Sequence, residues 1–147
     1  MGVEMLRKLR LLPVLLGFPL SVPSMAQDDP VRLADSGWGV VYLAPAPSAG
    51  WGIAAGRLDR DVAHRRAEAL CIARSGGVAC RLAAELRAQC LAVAQAPLAG
   101  DDQGRVAFST AAGASRRADA EAQALADCRL RLPGRLCVIV ESNCAGG

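Results

Sequence analysis

Two cysteine frames of equal spacing recur along this chain. Cys71 and Cys80 reappear as Cys128 and Cys137, 57 positions further on, with eight residues inside each pair. Laying residues 54–80 on residues 111–137 without a gap also matches Gly56 with Gly113, Arg60 with Arg117, Arg74 with Arg131 and Gly77 with Gly134. A third cysteine follows in each copy, Cys90 in the first and Cys144 in the second, so all six belong to the repeated unit. The chain is therefore read as an internal duplication, which restricts it to folds that one small unit can build twice.

The chemistry of those cysteines depends on the compartment. Arg7, Lys8 and Arg10 precede an apolar run from Leu11 to Leu20, and Ser24-Met25-Ala26 places small residues where a signal peptidase reads. Residues 1–26 are thus expected to be a signal peptide, with cleavage before Gln27 and an exported, periplasmic or secreted product. The run holds Pro13, Gly17 and Pro19 and falls short of the roughly 20 apolar residues a membrane helix needs, so no stable membrane span is expected. An even cysteine count in an oxidising compartment reads as disulfides. Zinc frames favour about two to four residues between successive ligands, so no metal is expected here.

Cleavage also changes the charge. Three of the 17 basic and one of the 14 acidic residues lie in the leader, leaving 14 against 13. That near-neutral balance, with Arg65-Arg66 and Arg116-Arg117 set among acids, offers no footprint for nucleic acid. The remaining length suits one domain with a modest core. Trp38, Tyr42, Trp51 and Phe108 alone supply its aromatic bulk, so a core this rich in alanine gains from covalent reinforcement.

Residues 27–36 read as a flexible lead-in, and residues 37–147 as a single domain of two repeats, about 37–90 and 91–144. Gly37 to Leu43 and Trp51 to Ala55 have the β-branched and aromatic content of strands, with Pro45 and Pro47 between them. From Asp59 the period becomes helical through Ala63, Ala67, Leu70, Cys71 and Arg74, with Asp59 or Asp61 as the cap and Ser75-Gly76-Gly77 as the stop. Val78 to Cys90 fits either a helix or, from its place in the duplication, a strand. In the second copy, Leu91 to Ala96 and Arg105 to Ala111 are strand candidates around the loop 97–104. Ser115 is expected to cap a helix to Arg131, and Leu136 to Val140 forms a last strand. The expected fold is α+β: a tandem strand-strand-helix-strand unit, mostly antiparallel sheet with two helices, disulfide-stabilised.

Three cysteines per copy cannot all pair within it, so full oxidation requires at least one bridge between the halves. The simplest geometry ties each helix end to the strand after it, Cys71 to Cys80 and Cys128 to Cys137, leaving Cys90 for Cys144. Six cysteines allow 15 connectivities, so the alternatives stay open.

Several local patterns carry a resemblance. Trp38-Gly39 before a strand, Trp51-Gly52 after Ser48-Ala49-Gly50, the helix with Ala67-Glu68-Ala69-Leu70, and Ala124-Leu125-Ala126-Asp127-Cys128 followed by Cys137-Val138-Ile139-Val140 resemble an exported bacterial family known as domain of unknown function 4189. The resemblance spans nearly all of residues 37–144. Two features depart from it: Cys71 stands two positions early, and Arg81 to Gln89 lacks β-branched and aromatic residues. The family implies neither an established activity nor catalytic residues.

Candidate chemistry is sparse. His64 is the only histidine and is expected as a solvent-exposed residue on a helix. No serine has a sequence context that marks an oriented base, and the pairs Asp59/Asp61, Asp101/Asp102 and Asp119/Glu121 are better used in caps and loops. No phosphate-cradling or dinucleotide glycine pattern is present, so neither a cofactor nor a catalytic set is expected. Trp38 and Trp51 are expected to pack across the sheet, with exposure as anchors for a partner as the alternative. The reading that results is a non-enzymatic interaction module of the bacterial envelope with a protein or envelope partner. Its alternatives are a periplasmic inhibitor or immunity protein against a lytic enzyme or toxin, and a small cell-wall hydrolase.

Overall fold

The computed structural model describes residues 37–56, 58–98 and 107–146. The expected signal peptide and lead-in and most of the loop 97–104 lie outside the described residues. The order is β1 (Trp38–Leu43), β2 (Trp51–Ala54), α1 (Arg60–Arg74), β3 (Arg81–Arg87), β4 (Cys90–Pro97), β5 (Ala107–Ala114), α2 (Arg117–Arg131) and β6 (Val138–Cys144). Strand-strand-helix-strand occurs twice, as expected. Each copy forms its own antiparallel three-stranded sheet with its first strand in the centre, β2-β1-β3 and β5-β4-β6.

The duplication extends to the irregularities. The β1/β3 ladder shifts register between Val41 and Tyr42, and the β4/β6 ladder between Val93 and Ala94. These bulges lie 52 positions apart, whereas the helices and the last strands repeat at 57, so the second hairpin carries the extra residues. Tyr42 pairs with Gly52, and its counterpart Ala94 with Thr110. By that register Gly56 and Gly113 are not equivalent: Gly113 sits in β5 opposite Leu91, while Gly56 follows β2 at φ 127°.

Alternation along the central strands puts successive residues on opposite faces. Val40 meets Ala54 and the Ala63 and Ala67 stripe of α1. Ala92, Ala94 and Ala96 meet Ala120, Ala124 and Cys128 of α2. The other faces, Val41 and Ile53 against Leu91 and Val93, pack on each other. The result is four layers, helix, sheet, sheet, helix. Gln95, on the inter-sheet face, donates its amide to Ala49 O at 2.7 Å and Ser109 Oγ at 2.8 Å, holding the first hairpin's loop to the second sheet.

The helical stripes are small because the helices lie close to the sheets. Ala63, Ala67 and Cys71 in α1, and Ala120, Ala124 and Cys128 in α2, are all fully buried at a spacing of four. A Cβ at Gly52 would lie 1.8 Å from Ala67 O, while the equivalent Thr110 uses the matching carbonyl, donating its hydroxyl to Ala124 O at 2.9 Å. Neither helix start has a side-chain cap bond. The N-cap of α1 is Asp59, and that of α2 is Arg116 rather than the expected Ser115, with Arg116 instead paired to Asp119.

The bridges are Cys71–Cys80, Cys90–Cys144 and Cys128–Cys137, and no described cysteine is free. The connectivity is the simplest one expected, but the expected crossing between halves is not found. Cys90 opens β4 and stands directly opposite Cys144 on β6, so that bridge links neighbouring strands of one sheet. The second unit holds four cysteines and the first two, with Trp38 opposite Arg87 where the second has its cystine. In the chain-entropy account the two short loops contribute about 2–3 kcal/mol each and the longer one about 4 kcal/mol. Within Val78 to Cys90 the segment Arg81–Arg87 is a strand, β3, and Cys90 already belongs to β4; the last strand starts at Val138 rather than Leu136.

Gly52→Ala places a methyl group against the α1 backbone and is expected to destabilise by about 3 kcal/mol or more. Thr110→Val, which loses one hydroxyl bond, should cost about 1 kcal/mol. Urea unfolding of both variants checks the ranking, and equal midpoints would contradict it.

Candidate functional site

Elements β1, α1 and β3 converge on a polar cluster. Tyr42 lies on the helix-facing side of β1, and its hydroxyl is 3.0 Å from His64 Nδ1. The two rings meet edge-on with centroids 5.9 Å apart. Glu85, opposite Val40 on β3, places Oε2 3.2 Å from His64 Nε2. That contact has ion-pair distance but misses hydrogen-bond alignment, so the buried Nε2 has no hydrogen-bond partner. Arg60 closes the cluster with two of its three guanidinium nitrogens on Glu85, Nε on Oε1 and Nη2 at 3.1 Å from Oε2, and lies 5.6 Å from the Trp38 ring centre.

His64 is therefore not the solvent-exposed residue expected: its side chain is 21% exposed because β3 adds a carboxylate wall that Tyr42 completes. The second unit repeats the positions with other chemistry, Glu121 accepting from the Ser142 hydroxyl at 2.5 Å. Glu85 is held below the usual carboxylate range, first by its hydrogen bond from Arg60, against a burial effect that pushes it up. Tyr42 is pushed above its ordinary value by burial and by Glu68 and Glu85. A phenol shifted upward is a poor nucleophile at neutral pH.

A second cluster ties the halves together. Trp51 Nε1 donates to Glu141 Oε2 at 3.0 Å, and Arg74 donates to the same oxygen at 2.9 Å and to Trp51 O at 3.2 Å. The Arg74 guanidinium also stacks 4.5 Å from the Trp51 ring centre. Both tryptophans are half-buried and each is covered by an arginine, Trp38 packing under α1 and Trp51 on the inter-sheet layer. Neither ring stands free as an anchor.

An open depression of about 320 Å³ lies between β1, β3, β5 and α2, with Ser109, Thr110, Asp127 and Arg131 as polar lining, and no member of either cluster lines it. Among the described residues no group of His, Cys, Asp and Glu is arranged to hold a metal. The most exposed large apolar side chains among the described residues are Leu130 and Leu136, 81% and 76% exposed, both within the loop closed by Cys128–Cys137. Arg129 and Arg135 precede them directly.

Tyr42, Arg60, Glu85, Arg74 and Glu141 were not singled out by sequence reasoning. Glu85 would have stood out as a charge on an inward strand position, had the segment after Val78 been assigned as a strand. Trp51, Arg74 and Glu141 lie too far apart in the chain for any local signal to group them.

Residues 38–144 match the model of the family described as Domain of unknown function (DUF4189). Comparison with curated proteins and with solved structures gives no match.

Because the Glu85 pKa is depressed on folding, its pairing stabilises the fold above the unfolded carboxylate range and is lost as pH falls through the lower folded value. The stability difference between wild type and Glu85→Gln is expected to shrink as pH falls below about 4. Urea midpoints across that range check this, and a difference that persists at the acid end would contradict it.

Proposed function

The chain belongs to the DUF4189 family, and from its own residues we propose that it is a non-enzymatic interaction module of the bacterial envelope, exported and braced by its disulfides. The observation that carries this reading is the Cys128–Cys137 loop, which presents Leu130 and Leu136 almost fully to solvent beside arginines. Large apolar side chains left outside a domain whose core is otherwise small mark a surface for contact. A cystine and the last turn of α2 hold that surface, so little order is lost on binding.

The distribution of charged groups supports the same reading over hydrolysis. A glycosidase needs two carboxylates facing one bond, one kept protonated. Here Glu85 is taken by Arg60, Asp119 by Arg116, Asp127 by Arg131, and Glu141 by Arg74 and Trp51. Glu85 and Glu141 thus fasten separate elements together, while Asp119 and Asp127 pair with arginines of their own helix turns, rather than facing a substrate.

The test compares envelope retention of exported wild type, His64→Ala and Leu130→Ser/Leu136→Ser, with folding followed by circular dichroism. The His64 variant is expected to be retained like wild type, and the leucine variant to fall by roughly tenfold or more. Turnover of peptidoglycan fragments by the wild type, or loss of function in a well-folded His64→Ala, would contradict the reading.

A further inference from the structure

Resting on the interaction-module reading, we propose that the partner of the Cys128–Cys137 loop is an anionic lipid surface, with Leu130 and Leu136 entering the headgroup boundary and Arg129 and Arg135 meeting lipid phosphates. From Cys128 to Val140 the sequence is Cys-Arg-Leu-Arg-Leu-Pro-Gly-Arg-Leu-Cys-Val-Ile-Val, with three arginines and no acid. Arg131 is committed to Asp127, at 3.0 Å, and Asp127 is the one neighbouring acid on the helix turn. Arg129 and Arg135 make no ion pair among the described residues and remain available for an external anion. Leu132 turns inward against the α2 core and anchors the loop from beneath.

The chemistry of the exposed residues favours lipid over a protein groove. Protein hot spots are enriched in tryptophan and tyrosine and poor in leucine, and both tryptophans of this domain are engaged elsewhere. Isolated aliphatic tips alternating with guanidinium groups match the layered polarity of a membrane interface, where apolar surface enters and cations stay with the phosphates. The loop lacks a helix long and apolar enough to cross a bilayer, as do all the described residues, so the contact is peripheral.

The duplication supplies an internal control. At the matching positions the Cys71–Cys80 loop has Ile72 and Val78, 36% and 40% exposed, in place of Arg129 and Arg135, and its one arginine, Arg74, is spent on Trp51 and Glu141. That loop has the cystine without free cations beside its apolar tips.

Vesicle sedimentation tests the proposal, using the exported, processed protein with its disulfides intact and vesicles of phosphatidylcholine alone or mixed with phosphatidylglycerol. Each free arginine near an anionic surface is worth about a fivefold gain, so binding to the mixed vesicles should be roughly 25-fold tighter and should weaken with salt. Arg129→Gln/Arg135→Gln is expected to abolish that preference, Leu130→Asp/Leu136→Asp to abolish binding, and Ile72→Asp/Val78→Asp to leave it unchanged. Equal binding to both vesicles, or unchanged binding by either loop variant, would overturn the lipid assignment. Capture of a protein through the loop while vesicles are ignored would also overturn it and leave the interaction-module reading standing. Envelope retention indifferent to the loop variants would remove both.

Discussion

The two sheets close on each other around two strand positions that lack side chains. A Cβ at Gly39 would lie 2.6 Å from Leu91 Cδ1, and one at Gly113 would lie 1.9 Å from Leu86 Cδ1. Leu91 and Leu86 fill the space those glycines leave, and around them Val41, Ile53 and Val93 form the layer that joins the repeats. Each unit alone is one helix on three strands, with its other sheet face apolar. Burial of that second face is what turns two marginal halves into a domain.

Outside that layer the construction is economical in side-chain volume. The helix–sheet contacts are built largely from alanine and cysteine, which bring backbones close but bury little area. Cystines compensate at both helix ends, while Arg74, Trp51 and Glu141 add a polar tie between halves. With the interior so constituted, large side chains that remain outside acquire meaning. Leu130 and Leu136 exceed in size most of what the core uses, and their exposure is better suited to a partner than to folding.

Much of this was legible in the chain because it was written twice. The spacing of Cys71, Cys80, Cys128 and Cys137 revealed the repeated unit, and the strand-strand-helix-strand order followed from its two copies. What failed was register. Whether Cys90 ends one unit or opens the next depends on one residue at the Ala88 turn, which adopts φ 58° and carries no turn signature. That single step decided whether Cys90–Cys144 joins the halves or lies within one sheet. Gly56 and Gly113 matched in an ungapped alignment for the same reason, since ladder pairing slides by one where letters do not. The polar cluster was hidden because His64, Tyr42 and Glu85 meet only after β1, α1 and β3 assemble, and the helix that presents His64 reads as solvated until β3 is known to flank it.

The central claim is that the inter-sheet layer makes one cooperative domain out of two repeats. Trp38 packs within the first unit whereas Trp51 bonds Glu141 of the second, so in a Trp51→Phe background tryptophan fluorescence follows the first unit, while far-ultraviolet circular dichroism follows both helices. Leu91→Ala removes a fully buried side chain from the second unit's share of the layer and should cost about 2–5 kcal/mol. Urea unfolding by both probes is expected to give coincident transitions in the Trp51→Phe background and an equal downward shift of both when Leu91→Ala is added. A fluorescence transition that stays in place while the circular dichroism transition moves would show that the halves unfold independently, and would contradict the account.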